Sequence, residues 1–329
     1  MLDNKTILIT GGTGSFGNYF TSYVIRHYKP KKIIIYSRDE FKQFNMRNKF
    51  KEQDSLLRFF IGDVRDKERL LRALNGVDYC IHAAAMKQVP ACEYNPIEAI
   101  KTNINGATNV IDAALDRNVL KVVALSTDKA VNPVNLYGGT KLVSDKLFIS
   151  ANAYSGANGT VFSIVRYGNV AGSRGSVIPF FTGLISQGKK SLPITDFRMT
   201  RFWINLEQGV QLVLKALGES KGGETYISKI PSFKITDLAK AMLPGCELEE
   251  VGIREGEKLH EVMVAKEDSP HTFEYDKHYI IYPHMEWWSM EDHFTAGGMK
   301  VPDGFEYSSG SNKEWLDIGR LAQLLKAYK

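Results

Sequence analysis

The sequence has few of the features that mark secreted, metal-binding, membrane or nucleic-acid-binding proteins. Its 329 residues include only three cysteines, an odd number without metal-ligand spacing, so neither a disulfide framework nor a metal site is expected. No apolar run approaches the roughly 20 residues of a membrane-spanning helix, and no charged leader precedes the first apolar strand. The net charge is only +5, without a long basic run, which argues against nucleic-acid binding. We therefore expect a cytoplasmic protein that binds neither membranes nor nucleic acids.

The chain does contain enough apolar residue, 43% of the total, for a large core. Its first half alternates short β-branched runs with longer amphipathic stretches. This alternation predicts right-handed βαβ units and hence a parallel, doubly wound α/β sheet of the Rossmann type. The expected strands are Thr6–Thr10, Lys32–Tyr36, Arg58–Ile61, Asp78–His82, Val122–Ser126 and Phe162–Arg166. The expected helices are Gly17–Tyr28, Lys67–Leu74, Ile97–Asn118 and Tyr137–Ala153.

The pattern changes after about Asn169, where Gly- and Pro-containing loops and isolated aromatic residues replace the regular alternation. Such a change predicts a smaller α/β cap over the carboxyl ends of the strands, where doubly wound sheets bind ligands. We expect a dinucleotide-binding domain at residues 1–168 and a mainly ligand-binding cap at residues 169–329. The segment Thr225–Ser228 is expected to return to the main sheet, so that the two domains interleave.

A glycine-rich loop follows the first expected strand and precedes the first expected helix. Its Gly-x-x-Gly-x-x-Gly spacing suits a tight turn, close approach to a pyrophosphate and packing of helix on strand, each of which needs a residue without a side chain. Amides at the helix N-terminus then bind the phosphates. The pattern predicts a dinucleotide site formed by Gly11, Thr13, Gly14, Ser15, Phe16 and Gly17.

The tip of the second strand indicates which dinucleotide is bound. A site for NAD places a carboxylate here for the ribose hydroxyls, whereas Ser37 and Arg38 come first in this chain. Arg38, with Lys42 close behind, suits the 2′-phosphate of NADP through charge-assisted hydrogen bonds. Asp39 keeps NAD as the alternative. The other expected cofactor contacts, after the third and fourth strands, are Asp63 (to the adenine amino group), Val64 and Ala83.

A tyrosine and a lysine four residues apart, Tyr137 and Lys141, open the helix after the fifth strand. Side chains at this spacing lie on one helical face. We expect the ammonium of Lys141 to lower the pKa of Tyr137, so that the tyrosine acts as a base near neutral pH. Lys141 is also expected to hold the nicotinamide ribose.

With these motifs in order, the chain resembles the extended short-chain dehydrogenase/reductase family over essentially its whole length. Within that family it is similar to the inverting UDP-N-acetylglucosamine 4,6-dehydratases of pseudaminic acid biosynthesis. Larger, membrane-anchored 4,6-dehydratases share the Thr-Asp-Lys strand tip but carry Met where Tyr137 stands. Besides the glycine loop, the resemblance is carried by Tyr36–Glu40, Met86–Pro90, Ser126–Ala130, Arg166–Val170, Gly172–Ser176, Met199–Trp203, Ile253–Val262 and Phe305–Ser309.

The resemblance implies a reaction that oxidises the sugar at C4, removes water across C5 and C6, and returns the hydride to C6. It implies Tyr137 as the base at the C4 hydroxyl. The rest of the implied catalytic set is Thr127, Asp128, Lys129 and Lys141.

Lys129 stands where retaining dehydratases, which carry Asp-Glu at this strand tip, have their C5 base. A lysine acts as a base only when its pKa is depressed, by burial or by like charge. Lys87 and Lys141 are the neighbours expected to supply that charge. Lys129 is assigned as the C5 base and Asp128 as the C6 acid, with the exchanged assignment left open.

The resemblance also implies a nucleotide-sugar pocket in the cap and a homo-oligomer. The expected substrate contacts are Lys87 (also near the cofactor), Asn169, Arg201, Arg254 (to the pyrophosphate) and Glu257 (to the uridine ribose). The alternatives are a nucleotide-sugar 4-epimerase, a retaining dehydratase and a non-catalytic dinucleotide sensor. An epimerase uses Tyr137 and Lys141 but needs no acid–base pair at C5 and C6, so Asp128 and Lys129 argue against it.

Overall fold

The computed structural model describes residues 1–156, 159–172, 176–286, 288–290 and 294–326. The first eight strands are β1 Thr6–Thr10, β2 Lys32–Ser37, β3 Leu57–Ile61, β4 Tyr79–His82, β5 Lys121–Thr127, β6 Val161–Tyr167, β7 Ser191–Ile194 and β8 Thr200–Phe202. The later strands are β9 Thr225–Ser228, β10 Ser232–Lys234, β11 Glu247–Glu250, β12 Val262–Val264, β13 Thr272–Glu274, β14 His278–Ile281, β15 Met299–Lys300 and β16 Tyr307–Ser308.

The helices lie mainly between the strands of the first half. They are α1 Ser15–His27, α2 Glu40–Lys49, α3 Lys67–Ala73, α4 Val89–Tyr94, α5 Pro96–Ile100, α6 Gly106–Asp116, α7 Leu136–Ser150, α8 Val177–Ser186, α9 Leu206–Glu219, α10 Ile235–Met242 and α11 Ile318–Leu325. Of the stretch Gly172–Ser176 that contributes to the family resemblance, residues 173–175 lie outside the described residues.

A ten-stranded sheet runs in the order β15-β13-β14-β9-β6-β5-β4-β1-β2-β3. From β9 to β3 every pair of neighbours is parallel, and no end of the six expected strands is displaced by more than one residue. The predicted doubly wound α/β fold is therefore confirmed. Beyond β9, the antiparallel strands β14, β13 and β15 extend the sheet. These strands are short, so their sequences carry no alternation by which they could be recognised.

Both faces of the sheet are covered, which explains the continuous apolar runs of its strands. In β1, Ile7 and Ile9 enter one apolar core while Leu8 enters another, because successive side chains of a strand point to opposite faces. Helices α1 and α9 cover the first face, and α3 and α6 cover the second.

Two helices differ from the sequence-based expectation. The helix expected over Ile97–Asn118 is interrupted by a π-helical turn at Lys101–Asn105, a feature that is frequent at functional sites. Helix α2 was not expected because only Gln43 and Met46 are buried along it, so it has no apolar stripe. Its start is fixed by Asp39, whose side chain accepts a hydrogen bond from the Lys42 backbone and thereby caps the helix.

The C-terminal part adds a third apolar core, in which α8, α10 and α11 pack with β7 and β10. Strand pairs β7–β11, β8–β10 and β12–β16 accompany it. Strand β8 carries Arg201, and Glu261 directly precedes β12. Both side chains reach the carboxyl end of β5, because Arg201 pairs with Glu261 and Glu261 pairs with Lys129.

Candidate active site

The glycine loop between β1 and α1 leaves no room for side chains at its key positions. A Cβ on Gly11, whose φ is +64°, would lie 2.9 Å from the backbone of Ala84, and one on Gly17 would lie 2.2 Å from the carbonyl oxygen of Gly12. Gly14 precedes α1, whose first turn has no side-chain cap and no acidic residue. The first amides of α1 can therefore bind an anion, and this cradle fits a dinucleotide. The same loop and turn carry Thr13, Ser15 and Phe16.

Two cations lie shortly after the end of β2, each beside a carboxylate. The Arg38 side chain is 62% exposed, and its Nη1 lies 3.7 Å from Asp63 Oδ2. Lys42 Nζ lies 2.7 Å from Asp39 Oδ2. Ser37 is buried, and its hydroxyl accepts a hydrogen bond from α2. The residues predicted to bind the 2′-phosphate thus lie together next to the glycine loop.

Asp63, expected to contact an adenine amino group, is already engaged by protein groups. It accepts hydrogen bonds from the Arg65 backbone at 3.0 Å and from the Arg65 guanidinium at 2.9 and 2.7 Å. Burial opposes its ionisation, yet these bonds hold the pKa of Asp63 below its ordinary value. If Asp63 contacts an adenine amino group, its carboxylate must accept that hydrogen bond in addition to those from Arg65. Val64 is buried against α6, and Ala83 donates its amide to Thr10.

The carboxyl end of β5 runs into a short 3₁₀ turn, Asp128–Ala130, at the centre of the candidate site. Thr127 Oγ1 donates a 2.9 Å hydrogen bond to Asp128 Oδ1, and Lys129 Nζ lies 3.1 Å from the same oxygen. Asp128 is 1% exposed. Burial, followed by the charge of Glu261, raises the pKa of Asp128. Asp128 therefore holds a proton more readily than an ordinary aspartate does, as a proton donor requires.

Tyr137 reaches this turn because the next residue of α7 packs directly against it. A Cβ on Gly138 would lie 2.1 Å from the Lys129 carbonyl oxygen. Burial raises the pKa of Tyr137 to about 12, whereas Lys129 and a hydrogen bond with Thr127 lower it. The expectation of a depressed phenol pKa set by Lys141 is thus corrected, because the buried phenol faces the ammonium of Lys129 at the strand tip.

Lys141 lies on the same face of α7 and is 3% exposed. Burial lowers the pKa of Lys141, and the Asp145 carboxylate opposes that shift. Burial, together with the charge of Lys141, lowers the pKa of His82 to about 3. The ring of His82 contacts Thr10 Oγ1 through Nδ1 at 2.9 Å. His82 thus stays neutral and fixes the strand ends beside the cofactor cradle.

The surroundings of Lys129 correct a second expectation, that like charges depress its pKa. Burial does lower the pKa of Lys129, but Asp128 and Glu261 outweigh it and leave the pKa raised. Nζ lies 3.1 Å from Asp128 and 3.3 Å from Glu261. The attraction of these two carboxylates at contact distance therefore decides the direction of the pKa shift. Lys129 is therefore a cation in this structure.

Two residues of the site were not identified from the sequence. Glu261 is 2% exposed and contacts both Lys129 and Arg201, although its segment was noted only for the family resemblance. Asn103, in the π-helical turn, donates a 3.0 Å hydrogen bond to Thr140 of α7 and exchanges two bonds with the backbone of Met86. The only local signal for Asn103 is its place within an expected long helix.

The residues expected to bind the sugar nucleotide lie around this centre. Burial and the charge of Lys129 lower the pKa of Lys87, which places their ammonium groups within electrostatic reach. Asn169 is exposed just after β6. Arg201 is turned inward: its guanidinium donates to two backbone carbonyl groups and lies 3.4 Å from Glu261. Arg201 therefore belongs to the catalytic cluster rather than to an open pocket.

Arg254 and Glu257 share one turn beside the N-terminus of α7. The Glu257 amide donates to the Arg254 carbonyl at 3.1 Å, and Asn135 donates to the Gly256 carbonyl at 2.8 Å. Arg254 is exposed, and Glu257 Oε2 is buried without a hydrogen-bond partner among the described residues. A cavity of about 400 Å³ beside the turn is lined by Glu93, Pro133, Val134, Asn135, Leu136, Gly139, Glu255 and Gly256.

Two absences hold for the described part of the chain. Its His, Cys, Asp and Glu side chains form no group of three or more that could hold a metal ion. None of its helices combines the length and the apolar character needed to cross a membrane.

The known polysaccharide biosynthesis proteins form a family whose pattern matches residues 7–283 of the chain. The chain belongs to this family. UDP-N-acetylglucosamine 4,6-dehydratase (inverting) of Campylobacter jejuni is 56% identical over 330 residues, covering 99% of this chain and 98% of that protein. UDP-glucose 4-epimerase of Rickettsia canadensis is 42% identical, covering 99% and 96%. The resemblance inferred from the sequence motifs is thereby confirmed.

Two solved structures share the fold. Pen from Bacillus thuringiensis gives a TM-score of 0.89 at 36% identity, covering 100% of this chain and 99% of that chain. DesIV from Streptomyces venezuelae, a dTDP-glucose 4,6-dehydratase with NAD and TYD bound, gives a TM-score of 0.68 at 22% identity, covering 77% and 86%. The second similarity concerns the fold alone.

Proposed function

We propose that this chain is a UDP-N-acetylglucosamine 4,6-dehydratase that inverts C5 and uses NADP. The observation that carries the proposal is the convergence of Tyr137, Asp128 and Lys129 at the carboxyl end of β5. The 56% identity with the inverting dehydratase of C. jejuni supports both substrate and reaction. The product is UDP-2-acetamido-2,6-dideoxy-β-L-arabino-hex-4-ulose, a precursor for pseudaminic acid.

Tyr137 is the base at the C4 hydroxyl. Burial raises the pKa of its phenol to about 12, and a hydrogen bond with Thr127 and the charge of Lys129 act in the opposite direction, towards the phenolate. Lys141, buried on the same face of α7, holds the nicotinamide ribose. A bound nicotinamide dinucleotide supplies the hydride acceptor for C4 and the hydride donor for C6.

Asp128 and Lys129 remove water across C5 and C6. A base takes the C5 proton, the C5–C6 double bond forms, and the C6–O bond breaks as an acid protonates the departing oxygen. The raised pKa of Asp128 suits the acid, and Lys129 is the C5 base. Because the flanking carboxylates hold Lys129 as a cation, it must first pass a proton to Asp128, whose Oδ1 lies 3.1 Å from Nζ. The exchanged assignment, with Asp128 as base and Lys129 as acid, needs no such transfer and is the alternative.

The cofactor assignment rests on the tip of β2. Arg38 and Lys42 extend into solvent beside the glycine loop, where a 2′-phosphate can accept charge-assisted hydrogen bonds. Asp39, the residue that would serve NAD, caps α2 and pairs with Lys42. These contacts engage both of its oxygens and favour NADP.

The substrate assignment places the sugar at the β5 tip and the nucleotide towards the turn at residues 254–257. Lys87 and Asn169 lie on loops that follow β4 and β6, the strands on either side of β5 in the sheet. Arg254 suits the pyrophosphate, and the buried free oxygen of Glu257 suits a ribose hydroxyl.

We also infer a cytoplasmic homo-oligomer. Its subunits pair through α7 and the helical stretch formed by α5, the π-helical turn and α6. Ile97 and Ile100 of α5 are exposed, as are Tyr94 at the end of α4 and Val143 of α7. An apolar face of this kind on two neighbouring helices is suited to an isologous contact.

A nucleotide-sugar 4-epimerase is the second candidate, favoured by the 42% identity with the epimerase of R. canadensis. Proton NMR of the purified enzyme with UDP-N-acetylglucosamine in deuterated water separates the two. A new C6 methyl signal with L-arabino configuration is the expected result. A methyl signal with D-xylo configuration would contradict inversion, and a galacto epimer without a methyl signal would establish epimerisation.

A further inference from the structure

Glu261 is a buried carboxylate whose hydrogen-bonding capacity is only half used. Its Oε1 lies 3.3 Å from Lys129 Nζ and 3.4 Å from Arg201 Nε. Its Oε2 is buried without a hydrogen-bond partner among the described residues. A buried carboxylate with a free oxygen is costly for the fold, which points to a role beyond stability.

The backbone of Glu261 is fixed by hydrogen bonds, and its carboxylate is held by its ion pairs with Lys129 and Arg201. The Glu261 amide donates to Ser309 Oγ at 2.9 Å, and the Ser309 amide donates to the Glu261 carbonyl at 2.8 Å. Ser309 Oγ also contacts Thr200 Oγ1 at 2.8 Å, in the strand that carries Arg201. Functional residues are commonly supported in this way by a surrounding set of hydrogen bonds.

We propose that Glu261 is a positioning residue of the dehydration reaction: it acts through Lys129, fixes the place of the Lys129 ammonium at the β5 tip, and sets its charge. The proposal rests on the proposed function, in which Lys129 exchanges a proton with the sugar. Asp128 alone cannot define the position of Nζ, since it contacts the ammonium through one oxygen from the preceding residue. Glu261 supplies the second contact from a different part of the fold.

The charge of Lys129 depends on groups from several elements. Asp128 and Glu261 stabilise the cation, and Arg201 opposes it. The charge of Lys129 in turn acts on Tyr137 of α7, on Lys87 of the loop after β4 and on Lys258 of the loop before β12. Replacing Glu261 by a neutral residue leaves one carboxylate against these cations. The ammonium is then less stable, and Lys129 loses its proton at a lower pH.

The test uses Glu261→Gln, which keeps the size of the side chain and removes its charge. Competitive trace labelling of lysines as a function of pH, read by mass spectrometry, reports the titration of Lys129 without substrate. We expect its midpoint to fall by on the order of one pH unit. In turnover, loss of the contact that positions Nζ should outweigh the easier loss of its proton. We therefore expect kcat to fall about tenfold or more while KM for UDP-N-acetylglucosamine changes less than about threefold. Glu267→Gln, at an exposed glutamate in the same region, is the control and should change neither quantity.

Glu261→Asp restores the charge one methylene further away, so the labelling midpoint should return towards the wild-type value. It also serves as the second variant if Glu261→Gln does not fold. An unchanged labelling midpoint in the folded variants, or a loss confined to KM, would overturn the proposal. The labelling is read without substrate. Failure of the wild-type enzyme to produce a methyl signal would therefore reject the proposed function, but it would not affect the measured influence of Glu261 on the charge of Lys129.

Discussion

Gly138 lies directly against the carbonyl oxygen of Lys129, so that a Cβ at this position would come within 2.1 Å of it. This contact joins the first turn of α7 to the turn after β5. It brings the phenol of Tyr137 to Thr127 and Lys129. The relative position of the proposed C4 base and the proposed C5 base thus depends on a residue without a side chain.

Gly138→Ala should therefore move Tyr137 of α7 away from Lys129 in the turn after β5. The backbone oxygen cannot give way, so we expect a loss of about 1–3 kcal/mol in the free energy of unfolding and loss of dehydration. Gly139→Ala is the matched control, because no atom lies within 4 Å of a Cβ built there and alanine is the better helix former. Urea unfolding and methyl-signal formation measure both effects. Equal tolerance of the two substitutions would contradict the close contact.

Lys129→Ala should abolish water loss but spare the first step. Tyr137 and Lys141 remain in place, so we expect C4 oxidation to persist, seen as absorbance of reduced nicotinamide, but at a lower rate because Tyr137 loses the charge that favours its phenolate. The methyl signal should fall by at least about 100-fold, because the proton at C5 has no base. Lys146→Ala, at an exposed lysine of the same region, is the control. Normal dehydration by Lys129→Ala would contradict the base assignment.

The parts of the molecule that could be predicted from sequence are those with local signals. Strands β1 to β6 show as apolar runs, and the glycine loop shows as a fixed spacing beside one of them. The pairing of Lys129 with Glu261 joins residues 132 positions apart, so no local pattern reports it. The raised pKa of Lys129 follows from that pairing, so the direction of its shift could not be predicted from the sequence.

Arg38→Ala should weaken the binding of NADP much more than that of NAD. A charge-assisted hydrogen bond to a phosphate contributes about 1.5–3 kcal/mol, equivalent to roughly 10- to 100-fold in the dissociation constant. NAD has no 2′-phosphate, so its affinity should change less than about threefold. Cofactor titration by calorimetry measures both constants. Arg47→Ala, at a largely exposed arginine of α2 that pairs with Asp54, is the control, and equal losses for both cofactors would show that Arg38 does not read the phosphate.

His82 should make the stability of the protein depend on pH below neutrality. Burial and Lys141 lower its pKa to about 3 in the folded state, whereas an unfolded histidine titrates near 6.5. Between these values the unfolded chain binds the proton and the folded chain does not, so stability is lost as the pH falls. For this residue the loss is about 2 kcal/mol between pH 7.5 and pH 5. Urea unfolding of wild type and His82→Gln at the two pH values should differ by that amount. His27→Gln, at an exposed histidine of α1, should behave like wild type, and an identical pH dependence in His82→Gln would show that His82 is charged in the fold.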